Sequence, residues 1–382
     1  MTNCSDSTRQ ATSDASVLGI YSSEPEYNAR ETGVGAARYF LFKALSRKFD
    51  RFRFYQPPLA HPDLGAATLG TEHRTLKRSP RVFEAKSRAT ELHLQALTEK
   101  PDIMFQWEFF FAPYWNEDPV APYVLYNDFT TRLTQREMNS WANPDVYGPF
   151  HELQLPLLQR AAHVFCFSDK MRASVVEDYH VDPDRTTTVY TGVNFESFPD
   201  RPESKLYSPR RILFVGNDYE LKGLPTLLKA FDRLRTKFPD ASLDVVGNPA
   251  GFSPAGRSFE GVTIHGAVSD ESFLQGLFRQ ATVFALPSRM EAFGHVYAEA
   301  MSFGVPCIGN NQGAVPEIID DGKTGLIAEI DDVDRWTTAL DHMLSSETVR
   351  SKMGAAAYDK ARGVFDWNVV SQRISDVMRA LH

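Results

Sequence analysis

Two glutamates stand eight residues apart, Glu291 and Glu299, within the stretch that runs from Pro287 to Pro306. A carboxylate only accepts hydrogen bonds, so such a pair suits hydroxyl groups on two parts of one ligand. Each charge-assisted bond is worth roughly 1.5–3 kcal/mol. The stretch follows a predicted strand and opens a helix near Gly294. The start of a helix offers N–H groups without intrahelical partners and a partial positive charge, which favour a phosphate. Along a helical path Glu291 and Glu299 lie at most ~12 Å apart. Val296, Ala300 and Phe303 mark the buried stripe expected of this helix, and Glu299 lies about 60° from its centre, at the edge of a crevice.

Three further stretches carry chemistry. Leu213 to Gly223 reads as a strand ending in Gly216, then Asn217, Asp218 and finally Lys222 before a helix. Gly216 lets backbone come close to a ligand, and Lys222 offers a point cation for a diphosphate. Thr32-Gly33-Val-Gly35-Ala-Ala-Arg38 half-matches G-x-G-x-x-G. Arg38 replaces the third glycine, and the glycines follow the first strand at a distance, so a dinucleotide site is disfavoured. Tyr123 to Thr131 is a strand end on which Asp128 is the acidic candidate, with a turn or helix cap as the competing role.

These residues need elements to position them. Short apolar strands at 17–21, 103–105, 123–126 and 164–167 alternate with helical segments. After a Pro-rich, charged stretch at 198–204 the rhythm restarts with strands at 211–215, 243–246, 262–265 and 283–286. Such alternation predicts α/β domains with doubly wound parallel sheets, whose ligands sit beyond the C-terminal strand ends. The expected layout is a disordered N-terminus over 1–15, a first domain over 16–197 and a second over 205–364. A last helix over 365–382 returns to the first domain, with Val369, Ile374, Val377 and Leu381 as its apolar face. Gly33 and Gly35 fall in a polar loop, ahead of a helix from Ala36 to Arg47.

The E-x7-E spacing, the Phe293-Gly294 after the first Glu and the Ala-Met after the second resemble the retaining glycosyltransferases of family 4. Gly313-Ala-Val-Pro316-Glu317 and Asp321-Gly-Lys-Thr-Gly325 look like that family's next two blocks. The resemblance is strong over the C-terminal half and weak over the N-terminal half. It implies a GT-B fold, two Rossmann-like domains facing a cleft. It implies transfer of a sugar from a nucleoside diphosphate donor to a hydroxyl acceptor with retention, the leaving diphosphate helping to remove the acceptor proton. It assigns Glu299 to the ribose hydroxyls and Glu291 to the transferred sugar. The backbone of Phe293, Gly294 and His295 approaches sugar and phosphates, and the loops of Gly33, Gly35, Gly216 and Lys222 face the diphosphate. The family pattern has Arg where this chain has Asn217, and Arg289 is the substitute cation considered. Asn127 occupies the usual His position on the acceptor side, which shifts attention to Asp128.

No cofactor and no metal are expected. Asp182-Pro-Asp184 and Asp332-Val-Asp334 mimic a metal-holding D-x-D but sit at helix starts, where Asp caps. The net charge is -8, which argues against a nucleic-acid partner. Between Arg38 and Arg88, however, 12 Lys/Arg stand against 4 Asp/Glu. That region offers weak peripheral membrane contact and would suit a lipid-linked acceptor; in the competing reading Phe40, Leu41 and Leu45 are core. Three cysteines without C-x-x-C spacing, no leader-like start and no long apolar run point to a cytoplasmic protein. Two rivals stay open: a nucleotide-sugar hydrolase or epimerase on the same fold, and a non-catalytic nucleotide-sugar-binding subunit.

Overall fold

A computed structural model describes residues 13–21, 33–57, 79–137, 144–203, 205–248 and 259–382. The chain divides into two compact units. One comprises residues 1–190 and 367–382, the other 191–366.

The first unit is a six-stranded sheet of β1 (Ser13–Tyr21), β2 (Phe49–Tyr55), β3 (Ile103–Trp107), β4 (Tyr123–Asn127), β5 (His163–Cys166) and β6 (Thr186–Thr188). Their order is β2-β1-β3-β4-β5-β6, all parallel. Every residue of β3, β4 and β5 is buried. That is the pattern of a parallel sheet covered by helices on both faces, and it explains why these strands read as continuous apolar runs. The helix Trp367–Leu381 packs on the helix Gly33–Leu45. Lys48 Nζ donates to Gln372 Oε1 at 2.8 Å, and Arg379 Nη2 donates to the Lys48 carbonyl at 3.1 Å. The buried face of that last helix is Val370, Ile374 and Met378. The predicted face is therefore turned by one residue, with Ile374 in common.

The second unit is built the same way from β7 (Arg211–Val215), β8 (Ser242–Val246), β9 (Val262–Gly266), β10 (Val283–Ala285), β11 (Cys307–Asn310) and β12 (Gly325–Ala328). The order is β12-β11-β10-β7-β8-β9, again all parallel. Residues 191–197 pack with this unit. The Pro-rich stretch after them is fixed to it as well: the Phe198 ring meets Tyr358 edge-on at 5.8 Å, and Tyr358 Oη donates to the Pro199 carbonyl at 3.0 Å.

Two local expectations change. Gly33 and Gly35 lie in the first turn of a helix rather than in a loop. In the helix His295–Ser302, Tyr297, Ala298, Ala300 and Met301 are buried while Val296 is half-buried, so the helix is enclosed on more than one stripe. Phe40, Leu41 and Leu45 are core. The disorder expected over 1–15 does not hold at Ser13–Ala15, which begin β1; residues 1–12, Thr32, Arg74, Lys77 and Arg78 lie outside the described residues.

Candidate functional site

The strand order of the second unit turns at β7. From it β8 and β9 extend to one side, and β10, β11 and β12 to the other. Connections leaving β7 and β10 therefore diverge to opposite faces and open a crevice beyond the strand ends. Each of the two loops there delivers one charged candidate. Lys222, from the loop after β7, donates through Nζ to Glu291 Oε2 at 2.7 Å and to the Met290 carbonyl at 3.3 Å. Glu291 comes from the loop after β10. Both side chains are largely shielded, 21% and 14% exposed, which strengthens their attraction over that of a surface pair.

Backbone close approach holds the two loops together. Gly223 has φ +74°, and a Cβ there would stand 2.0 Å from the Pro287 carbonyl oxygen. Arg289 N–H donates to the Leu221 carbonyl at 2.8 Å, and Lys222 N–H to the Asp218 carbonyl at 2.8 Å. Gly216 ends β7 by donating its N–H to the Val246 carbonyl at 3.0 Å. Asn217 Oδ1 accepts from the Asn248 N–H at 2.8 Å, tying this loop to the exit of β8. The Gly313–Pro316 block supports the other side, where Ala314 N–H donates to the Ala292 carbonyl at 3.0 Å.

Gly294, at φ +96°, starts the helix His295–Ser302, which has no side-chain cap. A Cβ at Gly294 would lie 2.7 Å from Tyr297 Cδ2, so the turn demands glycine. Phe293 is buried with its ring 5.9 Å from Phe365 and 5.4 Å from His295. Burial pushes the His295 imidazole down to about 4, so it is neutral at pH 7. One turn further, Glu299 Oε1 accepts from Asn194 Nδ2 at 3.0 Å. Burial lifts the Glu299 carboxyl to about 7, against the opposing pull of the Asn194 hydrogen bond.

Arg289 does not fill the place left by Asn217. Its Nε donates to both oxygens of Asp331, at 2.9 and 3.0 Å, and Nη1 donates to the Glu220 carbonyl at 3.0 Å, with the Glu220 carboxylate at 3.4 Å. Its charge is already matched by two acids. The first Asp of each D-x-D pair acts as a cap: Asp182 accepts from Asp184 N–H, and Asp332 from Asp334 and Arg335 N–H. Among the described residues no group of three or more His, Cys, Asp and Glu could hold a metal ion. Nor is any described helix long and apolar enough to cross a membrane.

Gly33, Gly35 and Asp128 belong to the first unit. Asp128 follows β4 and is half-buried; its neighbour Asn127 is buried and donates through Nδ2 to the Phe129 carbonyl at 2.9 Å. The turning point of this sheet is between β1 and β3. There the buried Arg38 guanidinium lies 4.7 Å above the Tyr21 ring, and the Glu108 charge opposes the lowering of its pKa by burial. Glu108 itself takes φ +74°. In the sequence Arg38 registers as a mismatch to a glycine motif and as the first cation of the basic region. Nothing local in the sequence pairs Asn194 or Asp331 with its partner, which lies 105 or 42 residues away.

Residues 198–360 match the family described as Glycosyl transferases group 1. The chain is 28% identical to D-inositol 3-phosphate glycosyltransferase of Corynebacterium diphtheriae over 224 residues, 53% of this chain and 52% of that protein. It thus spans about half the length of that curated relative. Sucrose-phosphate synthase from Thermosynechococcus elongatus superposes with a TM-score of 0.72 at 16% identity, covering 96% of this chain and 99% of that one. Anabaena HepE, solved in complex with UDP, superposes with a TM-score of 0.67 at 15% identity over 96% and 100% of the two chains. The fold is GT-B, with two Rossmann-like α/β units, and residues 198–360 carry a glycosyl transferases group 1 domain.

Proposed function

We propose that this protein is a retaining glycosyltransferase that moves a hexosyl group from a nucleoside diphosphate sugar to a hydroxyl acceptor. The observation that carries the reading is the Lys222–Glu291 pair at the strand-order turn of a group 1 domain. An arriving diphosphate would compete for Lys222, and the released Glu291 carboxylate would turn to hydroxyls of the transferred sugar. Glu299, steadied by Asn194, would take the ribose hydroxyls. The start of the helix at Gly294 would add its partial positive charge as negative charge grows on the leaving diphosphate.

In this reading no metal is required, because a lysine and a helix start supply the charge a metal would bring. Asp128 is assigned to the acceptor, whose entry displaces water so that the diphosphate oxygen can accept the hydroxyl proton. HepE binds UDP in its solved complex, so UDP-sugars head the donor series. A cytoplasmic setting accords with Cys166 and Cys307, both buried free thiols.

A thermal-shift series with UDP-, GDP- and ADP-sugars tests the donor class, since a ligand of the native state raises stability by mass action. With the stabilising donor in hand, NMR of the product reads the anomeric configuration. Stabilisation by no nucleotide sugar would remove the reading, and an inverted product would remove its retaining half. Binding without transfer to any hydroxyl acceptor would leave a sugar-nucleotide-binding subunit.

A further inference from the structure

A second cavity of the 191–366 unit opens at the other end of the sheet. It has a volume of about 740 Å³, and its walls include Lys205, Arg211, Arg279, Glu196, Asp200 and Phe303. Arg211 is the first residue of β7, whereas the loop to Lys222 leaves from the last. Five residues of strand at about 3.3 Å each keep the two places well over 10 Å apart. The cavity is therefore distinct from the crevice holding Lys222 and Glu291.

Three cations converge on it, and each is held by neutral acceptors. Lys205 Nζ donates to the carbonyls of Phe278 and Arg279, at 3.2 and 2.8 Å, at the end of the helix Glu271–Gln280. Arg279 Nη2 donates to Gln275 Oε1 at 2.8 Å, and Arg211 Nη1 donates to Gln280 Oε1. None of the three enters an ion pair among the described residues, in contrast to Arg289 and Lys222. Glu196 and Asp200 also line the cavity and leave a net positive lining. Phe303 gives it an apolar floor, with the Arg279 guanidinium 5.3 Å from its ring centre. Carbonyl and amide oxygens orient a cation without cancelling its charge, so this site retains attraction for an oxyanion.

We propose that this cavity is a second ligand site, which takes a small organic phosphate or sulfate ester: the oxyanion between Lys205, Arg211 and Arg279, the organic part against Phe303. Burial holds the Lys205 amine down to about 7, so near neutral pH it is only partly protonated. An anion bound beside it favours the ammonium form and draws in a proton. The occupant also touches the support of Glu299. Phe303 ends the helix that carries Glu299, and Glu196 stands two residues from Asn194.

The probe is inorganic sulfate, whose charge does not change near pH 7. Calorimetric titration of the full chain, at constant ionic strength in two buffers of different protonation heat, reads affinity and proton uptake together. One saturable site is expected, present in wild type and in Lys222→Ala, with net proton uptake at pH 7. Arg279→Gln and Lys205→Met are each expected to weaken it at least about tenfold, or 1.4 kcal/mol. Loss of the site in Lys222→Ala alone would place the anion in the other crevice and overturn the proposal. So would no saturable binding, or wild-type affinity in both cavity variants. Should those variants not fold, sulfate binding to Lys222→Ala without proton uptake overturns it equally. None of these readouts requires turnover, so failure of the glycosyl-transfer reading leaves the test intact.

Discussion

Lys222 Nζ and Glu291 Oε2 stand 2.7 Å apart, although 69 residues separate them in the chain. The contact exists because β7 and β10 are neighbours and their loops diverge at that point. Under the proposed function a diphosphate would split this pair, binding the lysine and leaving the carboxylate for sugar hydroxyls. Lys222→Ala is expected to lower kcat by about 10²–10³-fold, the scale of removing one preorganised charge at a developing anion. The folded state should lose about 1–3 kcal/mol, because the shielded Glu291 carboxylate is left without its cation. Steady-state kinetics and urea unfolding check the two halves; kcat within about threefold of wild type would rule out the role given to Lys222.

Arg289 supplies the contrast. It lies in the same loop, but Asp331 and Glu220 already engage it. Arg289→Ala should leave the affinity for nucleoside diphosphate within about fivefold of wild type, less than 1.4 kcal/mol. Titration with UDP reads this directly, and a loss as large as that of Lys222→Ala would reinstate Arg289 as a phosphate ligand.

These two cations mark how far the sequence could be read. The candidate grouping of Glu291, Gly294 and Glu299 was legible because it is local: a spacing, a glycine at a turn and a helix start within a dozen residues. Strand positions were legible because buried parallel strands are short apolar runs between turn residues. Who neutralises whom was not. The partners of Lys222, Arg289 and Glu299 arrive from distant segments, through sheet order that single-sequence patterns do not encode. Gly33 and Gly35 look like loop residues because glycine disfavours helix interiors. The first turn of a helix tolerates them, and that helix packs on the last helix and, through Phe42 against Tyr21, on β1. The one-residue rotation of the last helix has a similar origin, since Ser371 and Ser375 share its buried face with Val370 and Ile374.

Gly223→Ala probes the joint between the loops. At φ +74°, with a Cβ falling 2.0 Å from the Pro287 carbonyl, the substitution cannot be absorbed by a side-chain adjustment. Strain of about 1–3 kcal/mol is expected from the backbone conformation alone. The loops must part, so both the unfolding midpoint and the affinity for donor should fall. An unchanged midpoint in urea would show that the loops are not held in this contact.

Arg350 tests the packing behind the site. It is 1% exposed and donates to the carbonyls of Tyr207, Met343 and Leu344. Arg350→Ala would leave several buried carbonyls without donors, at about 1–3 kcal/mol for each one stranded. A drop of several kcal/mol in unfolding free energy is expected, with kcat unchanged in the protein that remains folded. A drop below 1 kcal/mol would mean that water replaces the guanidinium.

Glu299 and His295 pull the pH dependence of stability in opposite directions. Glu299 titrates at about 7 when folded, against an ordinary value of 4.5. Between those values the folded state keeps a proton that the unfolded chain releases, so this group makes stability fall as pH rises. His295 titrates at about 4 when folded, against 6.5. Between those values the unfolded chain takes up a proton that the folded state excludes, so stability rises with pH; His163, also pushed down to about 4 by burial, acts in the same sense. Over pH 4.5–6.5 the carboxyl therefore offsets part of the histidine effect in wild type. Glu299→Gln removes the offset, and its stability should climb more steeply over that range. Above pH 6.5 wild type should decline towards pH 7.5 relative to the variant. Asn194→Ala acts on the same group from the other side. It deletes the hydrogen bond that favours ionised Glu299, so the decline should move to higher pH. Urea midpoints at half-unit steps from pH 4.5 to 8 distinguish the three proteins, and parallel profiles would show that Glu299 is not held as a raised, buried carboxyl.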